Sequence, residues 1–202
     1  MNKQITKELL EIGAVQINLD TYFTWTSGLK SPIYCDNRLT MSYPKVRKNI
    51  AYAFIHMLED DGFKPDVIAG CATAGIPHAA WLSDLLDLPM VYVRSKPKGH
   101  GKGNQVEGAS VEGKKVLVIE DLISTGGSSI EAAKALQGAG ANVLAVYSIF
   151  TYGLNKSKHA FSQANITNRS ITGFDELIQE LIDALGLSEK EKIELLTFRE
   201  SL

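Results

Sequence analysis

Residues 116–129 read VLVIEDLISTGGSS, and this stretch constrains the fold more than any other part of the chain. Val116, Leu117, Val118 and Ile119 form a short, continuous run of β-forming apolar side chains, the pattern of a strand covered on both faces. Glu120 and Asp121 stand where that strand should end. The small segment Ser124, Thr125, Gly126, Gly127 and Ser128 follows, and Ile130 to Leu136 has helical character. This order places backbone N–H groups and hydroxyls at a helix N-terminus, where aligned peptide dipoles favour an anion such as a phosphate. An ordinary strand-turn-helix connection also uses glycine and serine. Two adjacent acids, however, repel each other and are a poor choice for stability alone. They would lie beside the sugar carrying the phosphate, near its ribose hydroxyls or a hydrated magnesium ion.

The rest of the chain alternates strands with helices. Residues 3–13 have a helical pattern with Ile5, Leu9, Leu10 and Ile12 on one side, and 44–61 a longer one built on Val46, Ile50, Phe54 and Leu58. Residues 66–70 read as a strand, 76–86 as a helix, and 90–93 and 142–150 as strands. Strands separated by helices imply a parallel sheet with helices on both faces. The stretch from Phe174 to Leu202 looks wholly helical, with Leu177, Leu181, Ile182 and Leu185 as its packing face.

Two other glycine patterns carry less. Residues 108–115 (GASVEGKK) approach a P-loop, but Lys115 stands where Ser or Thr should be and the segment precedes a strand. Gly138 and Gly140 follow a helix and read as its C-terminal stop.

Composition narrows the function. With 202 residues the chain is long enough for one domain with a sizeable core, and its formal charge of −2 gives no general attraction to nucleic acid or an anionic membrane. Any anion site must be local. No apolar stretch has the length of a membrane span, which points to the cytosol. Cys35 and Cys71 are far apart and read as reduced, buried thiols, and the four histidines are scattered, so no structural metal is expected. His56 lies in a helical pattern and reads as a partly buried, hydrogen-bonded ring.

The interval 94–115 (RSKPKGHGKGNQVEGASVEGKK) is rich in glycine and lysine and poor in apolar residues. It reads as a mobile loop that ends in a small hairpin.

The 116–129 string resembles the phosphoribosyl-pyrophosphate motif of the type I phosphoribosyltransferases. Arg94, Lys98 and His100 resemble the catalytic flexible loop of the orotate phosphoribosyltransferases, and residues 22–38 (YFTWTSGLKSPIYCDNR) resemble the segment that family places near its base site. The resemblance implies a single phosphoribosyltransferase domain over 1–202. Within it, about 1–40 would be an N-terminal hood, 94–115 a flexible loop and 174–202 a C-terminal helical segment. It implies an α/β fold with a central parallel sheet flanked by helices, and transfer of 5-phosphoribosyl from phosphoribosyl pyrophosphate to orotate in UMP biosynthesis. Mg²⁺ would be carried by the phosphoribosyl pyrophosphate, and two copies would form a homodimer with shared active sites.

Glu120, Asp121, Leu122, Ile123, Ser124, Thr125, Gly126, Gly127 and Ser128 would then bind phosphoribosyl pyrophosphate together with Arg94, Lys98 and His100. Asp121 would be catalytic along with those three loop residues, and Ser124 would border orotate, with Lys30 as a further candidate. Thr26, Ala74 and Ser95 stand where some members of the family have lysine, so Lys30, Lys96 or Lys102 would have to compensate. Two alternatives remain open: a purine phosphoribosyltransferase, and a regulator of the same fold that senses phosphoribosyl pyrophosphate and binds nucleic acid.

Overall fold

In chain order the elements are α1 (Asn2–Glu11), β1 (Val15–Ile17), β2 (Phe23–Thr24), β3 (Lys30–Ser31), β4 (Ile33–Cys35), a 3-10 helix (Asn37–Ser42), α2 (Pro44–Asp61), β5 (Val67–Cys71), α3 (Gly75–Leu86), β6 (Met90–Val93), β7 (Val106–Glu107), β8 (Lys115–Ile123), α4 (Gly127–Gly138), β9 (Asn142–Thr151), α5 (Asn155–Ala164), β10 (Asn168–Gly173), α6 (Phe174–Leu185) and α7 (Glu189–Glu200). The structure is a computed structural model that describes residues 2–24, 28, 30–96 and 105–202.

Six strands form the central sheet in the order β10-β9-β8-β5-β6-β7, parallel except for the antiparallel edge strand β7. Burial shows why it is covered twice. Along β8, Leu117 and Ile119 join the core packed by α1, α2, α3 and α6, while Val116 and Val118 join the core packed by α4 and α5. Alternate residues of a strand point to opposite faces, so an unbroken apolar run fills two cores at once. Helices α3 and α4, which follow the neighbouring strands β5 and β8, therefore lie on opposite faces. The chain departs from those two strands in opposite directions, to β6 and to β9. In open α/β sheets, such a reversal is where a crevice forms at the strands' carboxyl ends.

The sequence pattern is borne out for α1, α2, α3, β5, β6 and β9 within a residue or two. The strand expected to stop at Ile119 instead runs on to Ile123, with the acids inside it. Pairing supplies the reason: β5 accompanies β8 only as far as Gly70 opposite Ile119, but β9 continues past it, with Leu122 opposite Phe150 and Ile123 opposite Thr151.

Of the 94–115 interval, residues 94–96 and 105–115 are described, and a small hairpin is present there as the sequence suggests. Arg94 and Gln105 exchange backbone and side-chain hydrogen bonds, β7 pairs with β6 as a hairpin, and Val111 is buried. The helical region after Phe174 is two helices, broken at Gly186 and restarted by a capping box in which Ser188 and Glu191 satisfy each other's backbone. His56 is exposed and beside Glu59, contrary to expectation; the buried histidine is His78. Among the described residues no helix is long and apolar enough to cross a membrane.

Gly75 is where α3 crosses closest to β8. A Cβ there would lie 2.4 Å from the Ile119 carbonyl oxygen, so backbone would have to move. Gly75→Ala should therefore destabilise the protein by about 2 kcal/mol or more in urea unfolding. Gly138→Ala, with nothing within 4 Å of the added carbon, should leave stability within about 1 kcal/mol of wild type.

Candidate active site

Where β8 outruns β5, a cleft of about 410 Å³ opens. It is lined by Glu120, Asp121 and Leu122 of β8, by Ser128 of α4, by Ala72, Thr73 and Ala74 between β5 and α3, and by Cys35 at the end of β4 with Asp36 and Arg38 beyond it. Larger hollows lie beside α1 and α6 (about 730 Å³) and beside β7 (about 530 Å³), but neither contains the acid pair or the phosphate loop.

The loop from Ser124 to Gly126 turns the chain from β8 into α4. Gly126 makes the turn possible: its φ is 82°, a region that costs a side-chain-bearing residue energy, and an added Cβ would sit 2.7 Å from the Phe161 ring. No side chain caps α4. Its first N–H groups, with exposed Thr125, Gly127 and Ser128 around them and Ser124 half-buried, are arranged to take an anion.

The two acids differ. Asp121 is half-exposed in the cleft, whereas Glu120 is buried, accepting hydrogen bonds from the Asp121 backbone N–H at 3.0 Å and from the Ser129 hydroxyl at 3.2 Å. Burial, reinforced by the neighbouring Asp121 carboxylate, pushes the Glu120 carboxyl up to about 8. At neutral pH it largely keeps its proton, so the like-charge repulsion that the sequence suggests is relieved.

The 3-10 helix is pinned to this strand. Asn37, fully buried, donates from Nδ2 to the Asp121 carbonyl at 2.7 Å. Thr40 donates to the Asn37 carbonyl at 2.6 Å, and His78 Nε2 lies 3.2 Å from the Thr40 hydroxyl. Burial lowers the His78 imidazole to about 4, so it is neutral here.

Of the residues picked from sequence, the fold brings Glu120, Asp121, Leu122 and Ser128 together in the cleft wall, with Ile123 to Gly127 continuing beside them. Arg94 directly follows β6, faces Glu107 at 3.4 Å, and lines a recess of about 40 Å³ that shares Ala72 and Ser128 with the cleft wall. Lys98 and His100 lie outside the described residues, as do Thr26 and Lys102. Lys30 sits on the β2–β3 ribbon, donating to Thr24 at 2.7 Å, and is not among the cleft-lining residues. Asp36, Asn37, Arg38 and Ser129 were not picked out. For the first three the one signal was that 22–38 as a whole resembled a base-site segment, and for Ser129 that it closes the 116–129 string.

Comparison with known proteins agrees with this geometry. A phosphoribosyl transferase domain model matches residues 42–184. The orotate phosphoribosyltransferase of Oceanobacillus iheyensis is 90% identical over 202 residues, covering 100% of both chains. That of Listeria innocua is 58% identical over 179 residues, 89% of this chain and 86% of the relative. The crystal structure of orotate phosphoribosyltransferase from Aeropyrum pernix superposes with a TM-score of 0.77 at 27% identity, covering 88% of this chain and 97% of that one.

The raised Glu120 carboxyl has a consequence for stability. A folded-state value near 8 against an ordinary one near 4.5 means that its contribution is complete below about 4.5 and is lost as pH rises through 8. Glu120→Gln keeps the shape without the titration. It should match wild type in urea unfolding at pH 4 and exceed it by about 2–4 kcal/mol at pH 8.5. Equal stabilities at both pH values would show that Glu120 titrates normally.

Proposed function

This chain belongs to the orotate phosphoribosyltransferase family, and from that premise we propose how its cleft carries out the reaction. It transfers 5-phosphoribosyl from phosphoribosyl pyrophosphate to orotate, giving orotidine 5′-monophosphate and pyrophosphate in pyrimidine biosynthesis. The observation that carries the assignment of roles is the acid pair at the open end of β8 directly before an uncapped helix N-terminus.

Ser124 to Ser128 take the 5′-phosphate on the N–H groups and hydroxyls that open α4. The ribose then lies over Glu120 and Asp121. As the bond from C1 to the pyrophosphate oxygen lengthens, positive charge gathers on C1 and the ring oxygen, and the Asp121 carboxylate offsets it. Glu120, protonated and held by Ser129, donates to a ribose hydroxyl and fixes the sugar. Negative charge grows at the same time on the departing pyrophosphate, where Arg94, Lys98 and His100 of the 94–115 loop stabilise it, and Ser124 borders the base.

Among the described residues no three His, Cys, Asp or Glu side chains converge on one point. That suits Mg²⁺ carried by the substrate and its waters better than a protein cage. Asp121, with Glu120 behind it, would face the hydrated ion, which supplies charge neutralisation to the pyrophosphate. The absence of a membrane-crossing helix among the described residues is compatible with the cytoplasmic setting that the reading assigns. The expected outcome is loss of orotate absorbance when phosphoribosyl pyrophosphate and magnesium are added. EDTA should abolish it and magnesium restore it; turnover undiminished in EDTA would remove the metal from the scheme.

The reading also includes a homodimer in which each 94–115 loop serves the other subunit's cleft. Asp121→Asn and Lys98→Ala should each fold and each lose most activity. After subunit exchange, half the dimers are hybrids with one doubly mutated and one intact site, so activity should return to about a quarter of wild type per site. No recovery despite exchange, monitored with differently tagged subunits, would place the loop in its own cleft.

A further inference from the structure

The cleft is lined by three acids, Asp36, Glu120 and Asp121, and among its described lining residues Arg38 is the only cation. The base of the reaction described above is itself an anion, since orotate carries a carboxylate. Even with Glu120 protonated, Asp36 and Asp121 outnumber that one cation, so an anionic base gains most where the cation meets it. We propose that Arg38 receives the carboxylate of orotate and thereby sets the choice of base, an inference that rests on the reaction assigned above.

The geometry supports that role. Arg38 holds Asp36 through one edge of its guanidinium, Nε to Oδ1 at 2.6 Å and Nη2 to Oδ2 at 2.9 Å. This is the side-by-side grip by which a guanidinium takes a carboxylate. Its side chain is still 63% exposed, and the side-chain hydrogen bonds to Asp36 use Nε and Nη2, not Nη1, while Asp121 adds a longer-range attraction. A second carboxylate fits the Nη1 edge.

A pyrophosphate, carrying several charges, would suffer more from the adjacent Asp36 than a singly charged carboxylate would, which favours the base over the leaving group. The position is also fixed before substrate arrives. Asp36 caps the 3-10 helix by accepting from the Arg38 backbone N–H, and the next residue, Asn37, is tied to the Asp121 carbonyl. Arg38 is thus tethered, one residue away, to the strand bearing Asp121.

Steady-state kinetics on the whole protein test this, with orotate and phosphoribosyl pyrophosphate varied in turn. Arg38→Gln should raise KM for orotate on the order of 10- to 100-fold, the value of one charged, paired hydrogen bond, while kcat and KM for phosphoribosyl pyrophosphate stay within about threefold. Arg38→Lys, a cation without the fork, should fall between. Asp36→Asn keeps an oxygen to cap the 3-10 helix but removes the competing charge, so it should lower KM for orotate.

A rise in KM for phosphoribosyl pyrophosphate equal to that for orotate would make Arg38 a pyrophosphate or structural residue and overturn the proposal, as would an unchanged KM for orotate. Wild-type protein inert toward orotate would instead overturn the assigned reaction, and the proposal with it.

Discussion

The site depends on a mismatch in strand length at the centre of the sheet. Strand β8 keeps its β9 partner through Ile123 but loses β5 after Ile119. On one side of Glu120 the sheet continues; on the other it has ended. That asymmetry leaves a crevice whose wall is a strand in regular hydrogen bonding, so the acids are presented from a rigid element. It also sets where α4 begins, because the chain can turn only once β8 stops. Anion site and acid pair are therefore neighbours by construction.

The charge in the crevice is smaller than the sequence suggests. Glu120 is held protonated by burial, and Asp36 is paired to Arg38, which leaves Asp121, half-exposed beside Glu120, as the remaining carboxylate of the wall. A net charge of −2 over the chain is consequently no obstacle to a substrate with many negative charges. In the proposed reaction the Asp121 carboxylate is the one that would face the developing positive charge of the ribose.

The 3-10 helix and the sheet are joined through buried polar contacts. Asn37, Thr40 and His78 form a chain of hydrogen bonds from the Asp121 carbonyl to α3, and each partner is shielded from water. A hydrogen bond of this kind contributes about 1 kcal/mol, but leaving its buried partner unsatisfied costs about 1–3 kcal/mol. Position, more than net stability, is what such a chain enforces. Neutral His78 suits it, since a charged ring at that depth would be strongly disfavoured.

Local pattern was enough to determine the types of α1, α2, α3, α4, β5, β6, β8 and β9, but not of the short N-terminal strands, α5 or β10. The apolar run at Val116–Ile119, the four-residue repeat of α2 and the Ser-Thr-Gly-Gly segment each depend on neighbouring residues, so they were legible, and with them the α/β class and the turn from β8 into α4. The missed features depend on distant partners. Strand β8 is extended by β9, Glu120 is neutralised by its burial between layers, and Val111 is buried by the return of its loop onto the body.

Lys30 and Arg38 make the contrast sharpest. Both are basic residues in one segment, and nothing local says which meets the cleft. The tertiary fold decided it by pairing Lys30 with Thr24 on a separate ribbon and tying Asn37, beside Arg38, to the strand of the acids. Composition and periodicity report what one stretch of chain prefers. Which side chains share a cavity depends on contacts between residues far apart in sequence, and only the folded chain supplies them.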